Sequence, residues 1–155
     1  MSFENSVNYR DLSDYGLALT TSGAVSEDML AQAYASNYGA VISLLPQDHP
    51  KRLTQASAIL ASQSVEYWQA PVDWLAPTQA NIDQFAWALD RLLAQRLKVH
   101  VHCALNMRVS AFCAVYLFER GLMSHDQAQA LICEVWGEPL ELAWQRLLAD
   151  RGLKL

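Results

Sequence analysis

The sequence predicts an α/β fold: a mainly parallel sheet of four to five strands flanked by helices. Three observations lead there. Short apolar or β-branched runs at 17–21, 41–45, 65–70 and 98–102 have the length and content of strands. Between them lie segments whose apolar residues recur at helical spacing, and strands alternating with helices imply parallel pairing with both faces covered. The run Lys98-Val99-His100-Val101-His102 leads through Cys103 and a short loop directly into a second apolar helix. Ligands of such sheets bind beyond the carboxyl ends of the strands, and Cys103 lies at such an end.

Taken in order, residues 1–15 are mixed and polar and read as an N-terminal arm that packs Tyr9, Leu12 and Tyr15 on the domain. Residues 17–21 read as an edge strand. Ser26 opens a helix as N-cap, with Glu27 and Asp28 in its first turn and Met29, Leu30, Ala33 and Tyr34 inward; Asn37-Tyr38-Gly39 closes it. Val41 to Leu45 is a buried parallel strand ended by Pro46. A helix is expected from Asp48-His49-Pro50, with Leu53, Ala56, Ile59 and Leu60 as its stripe. Residues 65–70 form the third strand.

Asp73 to Gln79 is a loop, and Thr78 caps a long helix to about Gln95 with Ile82, Phe85, Leu89, Leu92 and Leu93 inward. The helix after the cysteine carries Val109, Phe112, Cys113, Tyr116 and Leu117 and ends near Gly121. Ser124 and Gln127 form a capping box for the next helix. Gly137-Glu138-Pro139 breaks it, and a last helix over 140–150 turns Leu142, Trp144, Leu147 and Leu148 inward. Cys113 and Cys133 sit on helical apolar faces and read as structural. Trp68, Trp74 and Trp87 read as packing residues, with Trp74 also placed to flank a substrate ring.

The chain of 155 residues is expected to be a single domain. Half of it is apolar, yet no run approaches the ~18 residues of a membrane span. Met1-Ser2-Phe3-Glu4-Asn5 is too polar for a secretion signal, so a cytoplasmic location is expected. Three cysteines without paired metal spacing suit free thiols in a reducing compartment. A formal net charge of −5 and the lack of a Lys/Arg cluster argue against an extended nucleic-acid face. They leave room for a small phosphate ester, because a local field can be positive within an acidic protein.

The chemistry gathers at Cys103. The first N–H groups of a helix are unpaired and point outward, so a strand, a tight loop and a helix N-terminus make an anion cradle. A cysteine in that field, near a guanidinium, loses its proton easily. The backbone of Ala104, Leu105, Asn106, Met107 and Arg108 forms the cradle, and the Arg108 fork can hold two oxygens of a tetrahedral anion. Asn106 is the loop's candidate for a left-handed backbone. His102 should point away from the pocket and support the loop from behind; a plain buried histidine is the alternative. His100 shares its strand face, and the pair would suggest a metal only if carboxylates converged there.

His102-Cys103, four residues, then Arg108 resembles the His-Cys-x5-Arg-Ser/Thr signature of cysteine-dependent phosphatases, one residue short. Ser110 lies seven after Cys103, where that family's Ser/Thr also falls. The four-residue gap also resembles the six-residue active loop of rhodanese-type sulfurtransferases. Over most of residues 9–145, Thr20-Thr21-Ser22-Gly23-Ala24-Val25-Ser26, Ala40 to Pro46 and Val65 to Asp73 resemble a bacterial family of dual-specificity-phosphatase-like proteins. The resemblance implies a cysteine-phosphatase-like domain hydrolysing phosphate monoesters through a phosphocysteine on Cys103, with no cofactor or metal.

It further implies that Arg108 binds the anion and that Asp73, thirty residues before the cysteine, is the general acid, with Asp83 as a weaker substitute. Ser110 would assist the thiolate, or else bond its own helix backbone. The expected partners are a phosphate ester or phosphoprotein and a phosphate or sulfate anion in the loop, with neither nucleic acid nor membrane. The alternatives are a sulfurtransferase carrying a Cys103 persulfide and an inactive phosphate- or sulfate-binding module.

Overall fold

The computed structural model covers residues 1–155 and contains one five-stranded sheet with six α-helices. In chain order these are β1 (Arg10–Asp11), β2 (Leu19–Ser22), α1 (Glu27–Ala31), β3 (Ala40–Ser43), α2 (Ala56–Ala61) and β4 (Glu66–Gln69). After them come α3 (Gln79–Ala94), β5 (Val99–His102), α4 (Met107–Glu119), α5 (His125–Trp136) and α6 (Leu142–Ala149). The sheet order is β1-β2-β5-β3-β4. Every pairing is parallel except β1 with β2, so the fold is the expected mainly parallel α/β sheet.

The order puts β5 in the middle, with all four of its residues buried. Alternation then sorts side chains between two cores. Val99, Val101 and Cys103 join Leu19 and Ile42 in the larger core, which α3, α4, α5 and α6 fill. On the other face Val41 packs with Met29, Leu30 and Leu60 from α1 and α2 and with Phe3 from the arm. His100 and His102 share that second face, as the alternation requires, and their rings stack 6.4 Å apart.

The helix after the cysteine is the central prop of the molecule. In α4 every residue from Arg108 to Leu117 is buried, the pattern of a helix covered on all sides. Its C-terminal turn gives way at Gly121, whose φ of +71° needs a glycine. The long helix begins at Thr78 as expected: its hydroxyl accepts from Asn81 N at 3.0 Å, and Asn81 Oδ1 accepts from Thr78 N at 3.0 Å. Ser124 and Gln127 make the same reciprocal pair at α5.

Five local expectations are corrected. The strand near residue 20 is not an edge, because Arg10 and Asp11 leave the arm and pair antiparallel outside it. The helix expected from Asp48-His49-Pro50 starts only at Ala56: His49 Nδ1 accepts Lys51 N at 3.0 Å, and this local turn satisfies the backbone without a helix. The helix opened by Ser26 is five residues long and passes into turns, which leaves Tyr34 exposed. Leu142 faces solvent at the first position of α6. Cys133 is exposed, whereas Cys113 is buried.

Replacing Thr78 with Ala removes one partner of the reciprocal cap. A stability loss of about 1 kcal/mol is expected in urea unfolding, without a change in the slope of the transition.

Candidate functional site

The junction between β5 and α4 turns in one left-handed residue, Asn106 (φ +68°), as its residue type anticipated. The Asn106 side chain is fully buried and donates to Asn8 O at 2.7 Å and to Thr21 Oγ1 at 3.0 Å. These two bonds lock the turn to the arm and to β2.

Four successive carbonyls of the loop are taken up by groups outside it. Ala104 O accepts from Ala24 N at 2.8 Å, and Leu105 O from Asn8 Nδ2 at 3.0 Å. Asn106 O accepts from Ser110 N at 2.8 Å, and Met107 O from Trp136 Nε1 at 3.1 Å. The peptides are all trans, and in a trans unit the N–H opposes its carbonyl. Each carbonyl held outward therefore turns the following N–H away from its anchor. The amides from Ala104 to Val109 donate to no group of the protein, neither backbone nor side chain. The first amides of a helix are free by geometry, and here the free run extends back through the loop to Ala104.

Cys103 is only 1% exposed, yet it borders a cavity of about 140 Å³ with Trp74, Ala104, Leu105, Met107 and Arg108. Its own N–H donates to Ser22 O at 3.2 Å. Gly23 stands directly behind the loop: a Cβ there would collide with the Ala104 carbonyl oxygen and lie 2.9 Å from Leu105 Cα. Only a glycine lets the two backbones approach so closely.

Arg108 is buried but for 7% of its surface and forms no ion pair. Its Nε donates to Val72 O at 3.0 Å, and the guanidinium lies 5.3 Å from the Trp74 ring centre. These contacts use the inner edge of the fork. Both terminal nitrogens lack protein acceptors. Trp74 is fixed in turn by Trp136 and Trp144, with ring centres 5.1 and 5.2 Å away, and its carbonyl accepts from Trp144 Nε1 at 3.0 Å.

Of the other predicted residues, some lie near this centre and some do not. Asp73 sits between two tied residues, Val72 and Trp74, on the loop joining β4 to α3. It is exposed, and its Oδ1 accepts Leu75 N at 2.9 Å, so it stands beside the cavity without lining it. Asp83 is spent elsewhere, in an ion pair with Arg151 at 3.0 Å. Ser110 donates to Met107 O at 3.1 Å, a bond to its own helix backbone. Trp68 and Trp87 meet edge to face at 5.6 Å, away from the cavity.

Burial disfavours the charged form of both histidines behind the loop. Burial pushes His102 down to about 4, opposed by the adjacent Cys103 backbone, and its Nδ1 has no partner. Burial lowers His100 well below its ordinary value; both its nitrogens face hydroxyls at 2.8 Å, which leaves neither for a metal. His49, on the loop after β3, is lowered by burial and then by the charge of Arg108.

Sequence reasoning did not find Asn8, Gly23, Ala24 and Trp136, which meet the loop from three distant parts of the chain. Gly23, a glycine directly after a strand, was the one local sign of a close backbone approach.

No family profile matches the chain, and no curated protein matches it in sequence. Solved structures do match in fold. A candidate phosphatase (DUF442) from Shewanella putrefaciens CN-32 superposes with a TM-score of 0.83 at 25% identity, covering 99% of this chain and 96% of its own. PTPMT1 in complex with PI(5)P gives 0.73 at 19% identity, with 92% and 93% covered. Tk-PTP in its active form gives 0.67 at 19%, with 88% and 92% covered. The chain thus has the fold of protein-tyrosine-phosphatase-like enzymes over nearly its whole length.

The buried histidines set a pH dependence of stability. Between about 4 and the ordinary value near 6.5, the unfolded chain holds a proton that folded His102 does not. Unfolding therefore gains from acidification, and stability rises with pH through this window before levelling above it. His102 alone predicts a loss of about 2 kcal/mol from pH 7.5 to pH 5, with His100 adding to it, read as a falling urea midpoint.

Proposed function

We propose that this chain is a cysteine-dependent phosphatase acting on phosphate monoesters. The observation that carries the reading is the run of six unpartnered amides from Ala104 to Val109 beside the Cys103 thiol. Such a row is the complement of a tetrahedral oxyanion, and the unpaired terminal nitrogens of Arg108 add a fixed positive charge at its edge. The match in fold to tyrosine-phosphatase-like structures supports the same chemistry.

In this reading the Cys103 thiolate attacks phosphorus, the ester oxygen leaves with its electron pair, and a phosphocysteine forms. The amides and Arg108 stabilise the charge on the equatorial oxygens. Asp73 donates a proton to the departing alkoxide or phenoxide. Support for that role comes from the ties on either side of it, Arg108 to Val72 and Trp144 to Trp74. Water then cleaves the thiophosphate bond and returns the thiolate. The mechanism needs no metal, because the amide row and guanidinium supply the electrophilic charge.

Phosphotyrosine proteins and small phosphate esters fit this site best. The loop supplies no lysine for a further phosphate, so a phosphoinositide headgroup is less well matched.

Hydrolysis of p-nitrophenyl phosphate should be measured beside thiosulfate-to-cyanide sulfur transfer. Expected are phosphate release, its loss in Cys103→Ser, and little sulfur transfer. Asp73→Asn should slow phenyl phosphate by about 10²-fold or more and p-nitrophenyl phosphate far less, since the better leaving group needs no proton. Hydrolysis that survives Cys103→Ser removes the nucleophile. Sulfur transfer in its place makes the chain a sulfurtransferase, and tight phosphate binding with neither activity makes it a binding module.

A further inference from the structure

Behind the loop runs a chain of buried hydrogen bonds whose direction can be deduced. Tyr38 Oη lies 2.7 Å from Thr20 Oγ1, which lies 2.8 Å from His100 Nδ1. On the far side His100 Nε2 lies 2.8 Å from Ser22 Oγ, and Ser22 Oγ lies 2.9 Å from Gly23 O. The Gly23 carbonyl has no donor other than this serine, so the single hydroxyl proton of Ser22 points to it.

The rest follows by counting hydrogens. With its proton spent on Gly23 O, Ser22 must accept at Oγ, and His100 Nε2 carries the N–H. The imidazole is neutral, so Nδ1 is the acceptor and Thr20 donates to it. Thr20 then has only a lone pair for Tyr38, whose O–H donates. Every proton is used once, and all point from Tyr38 towards Gly23.

The imidazole is held flat in this line. Phe3 stacks on it with ring centres 4.0 Å apart and planes 5° from parallel, and Tyr38 meets it edge-on at 5.8 Å. Such packing fixes the plane of the His100 ring, and the two hydroxyl contacts select its orientation within that plane. The chain ends on the segment that carries the loop: Ser22 O receives Cys103 N, Gly23 lies against Ala104 and Leu105, and Ala24 N holds Ala104 O.

We propose that His100, acting through Ser22 and the Gly23 carbonyl, is the positioning residue for the Cys103 loop. It touches none of the loop's reactive atoms. It fixes the Ser22–Ala24 backbone, and that backbone fixes where the thiol and the first amides of the cradle sit. The inference rests on Cys103 to Val109 being the reactive loop, but its test does not require a phosphate ester to be turned over.

The readout is the rate at which iodoacetamide alkylates Cys103 at pH 7, resolved by peptide mass spectrometry. Exposed Cys133 serves as the internal reference. Ser22→Ala cuts the chain while leaving every loop residue in place. It should slow Cys103 by about five- to tenfold, the scale of one lost buried hydrogen bond, with Cys133 unchanged. Ser22→Thr keeps a hydroxyl and should restore most of the rate, which a merely destabilised protein would not do. Thr20→Val breaks the chain on the other side of His100 and should slow Cys103 in the same direction, which also covers a Ser22→Ala protein that fails to fold.

Cys103 alkylation equal to wild type in either folded variant overturns the proposal. Failure of the phosphatase reading looks different: wild-type protein would then release no phosphate, whatever the alkylation rates.

Discussion

The site depends on where four carbonyl oxygens are held. A loop entering a helix has its first amides free by geometry, but nothing in that geometry decides which way they face. Here Ala24, Asn8, Ser110 and Trp136 each take one carbonyl of residues 104–107, and the trans peptide turns the following N–H away from each anchor. A protein that leaves six amides unpaired gives up several favourable bonds. Anchors drawn from the arm, the segment after β2 and two helices hold that arrangement in place.

The same anchors explain why the surroundings are so rigid. Helix α4 is covered on every side, so the end that carries the loop is packed against its neighbours. Arg108 is held by Val72 and by the face of Trp74, which leaves its outer nitrogens available beside the cavity. The three mutually packed tryptophans Trp74, Trp136 and Trp144 connect the Asp73 loop, α5 and α6 in one apolar block. Trp136 supplies an anchor to the Cys103 loop and Trp144 an anchor to the Asp73 loop, so one packed cluster ties down both.

What could be read from the sequence was local. The strand run ending at Cys103, the left-handed Asn106, the caps at Thr78 and Ser124 and the alternation that sends His100 away from the cavity are all written in neighbouring residues. The turn at His49 was misread because a side-chain acceptor competes with helix initiation, and proline at the start looked the same either way. The inner position of β2 depended on a two-residue strand too short to show a pattern. Asn8 and Trp136 lie 97 and 29 residues from the carbonyls they hold, and no local periodicity records such a bond. The ring of tryptophans was legible as packing material but not as the support of two separate loops.

A thiol, an amide row and a guanidinium are parts that each occur widely; the proposed function rests on their common focus at one cavity. That focus is open to direct observation in an amide-resolved NMR titration of the wild-type protein with inorganic phosphate. Saturable downfield shifts of the N–H resonances from Ala104 to Val109, with a shared dissociation constant, are predicted. Phosphate binding that leaves those six resonances unmoved, or no binding at millimolar concentration, would contradict the account.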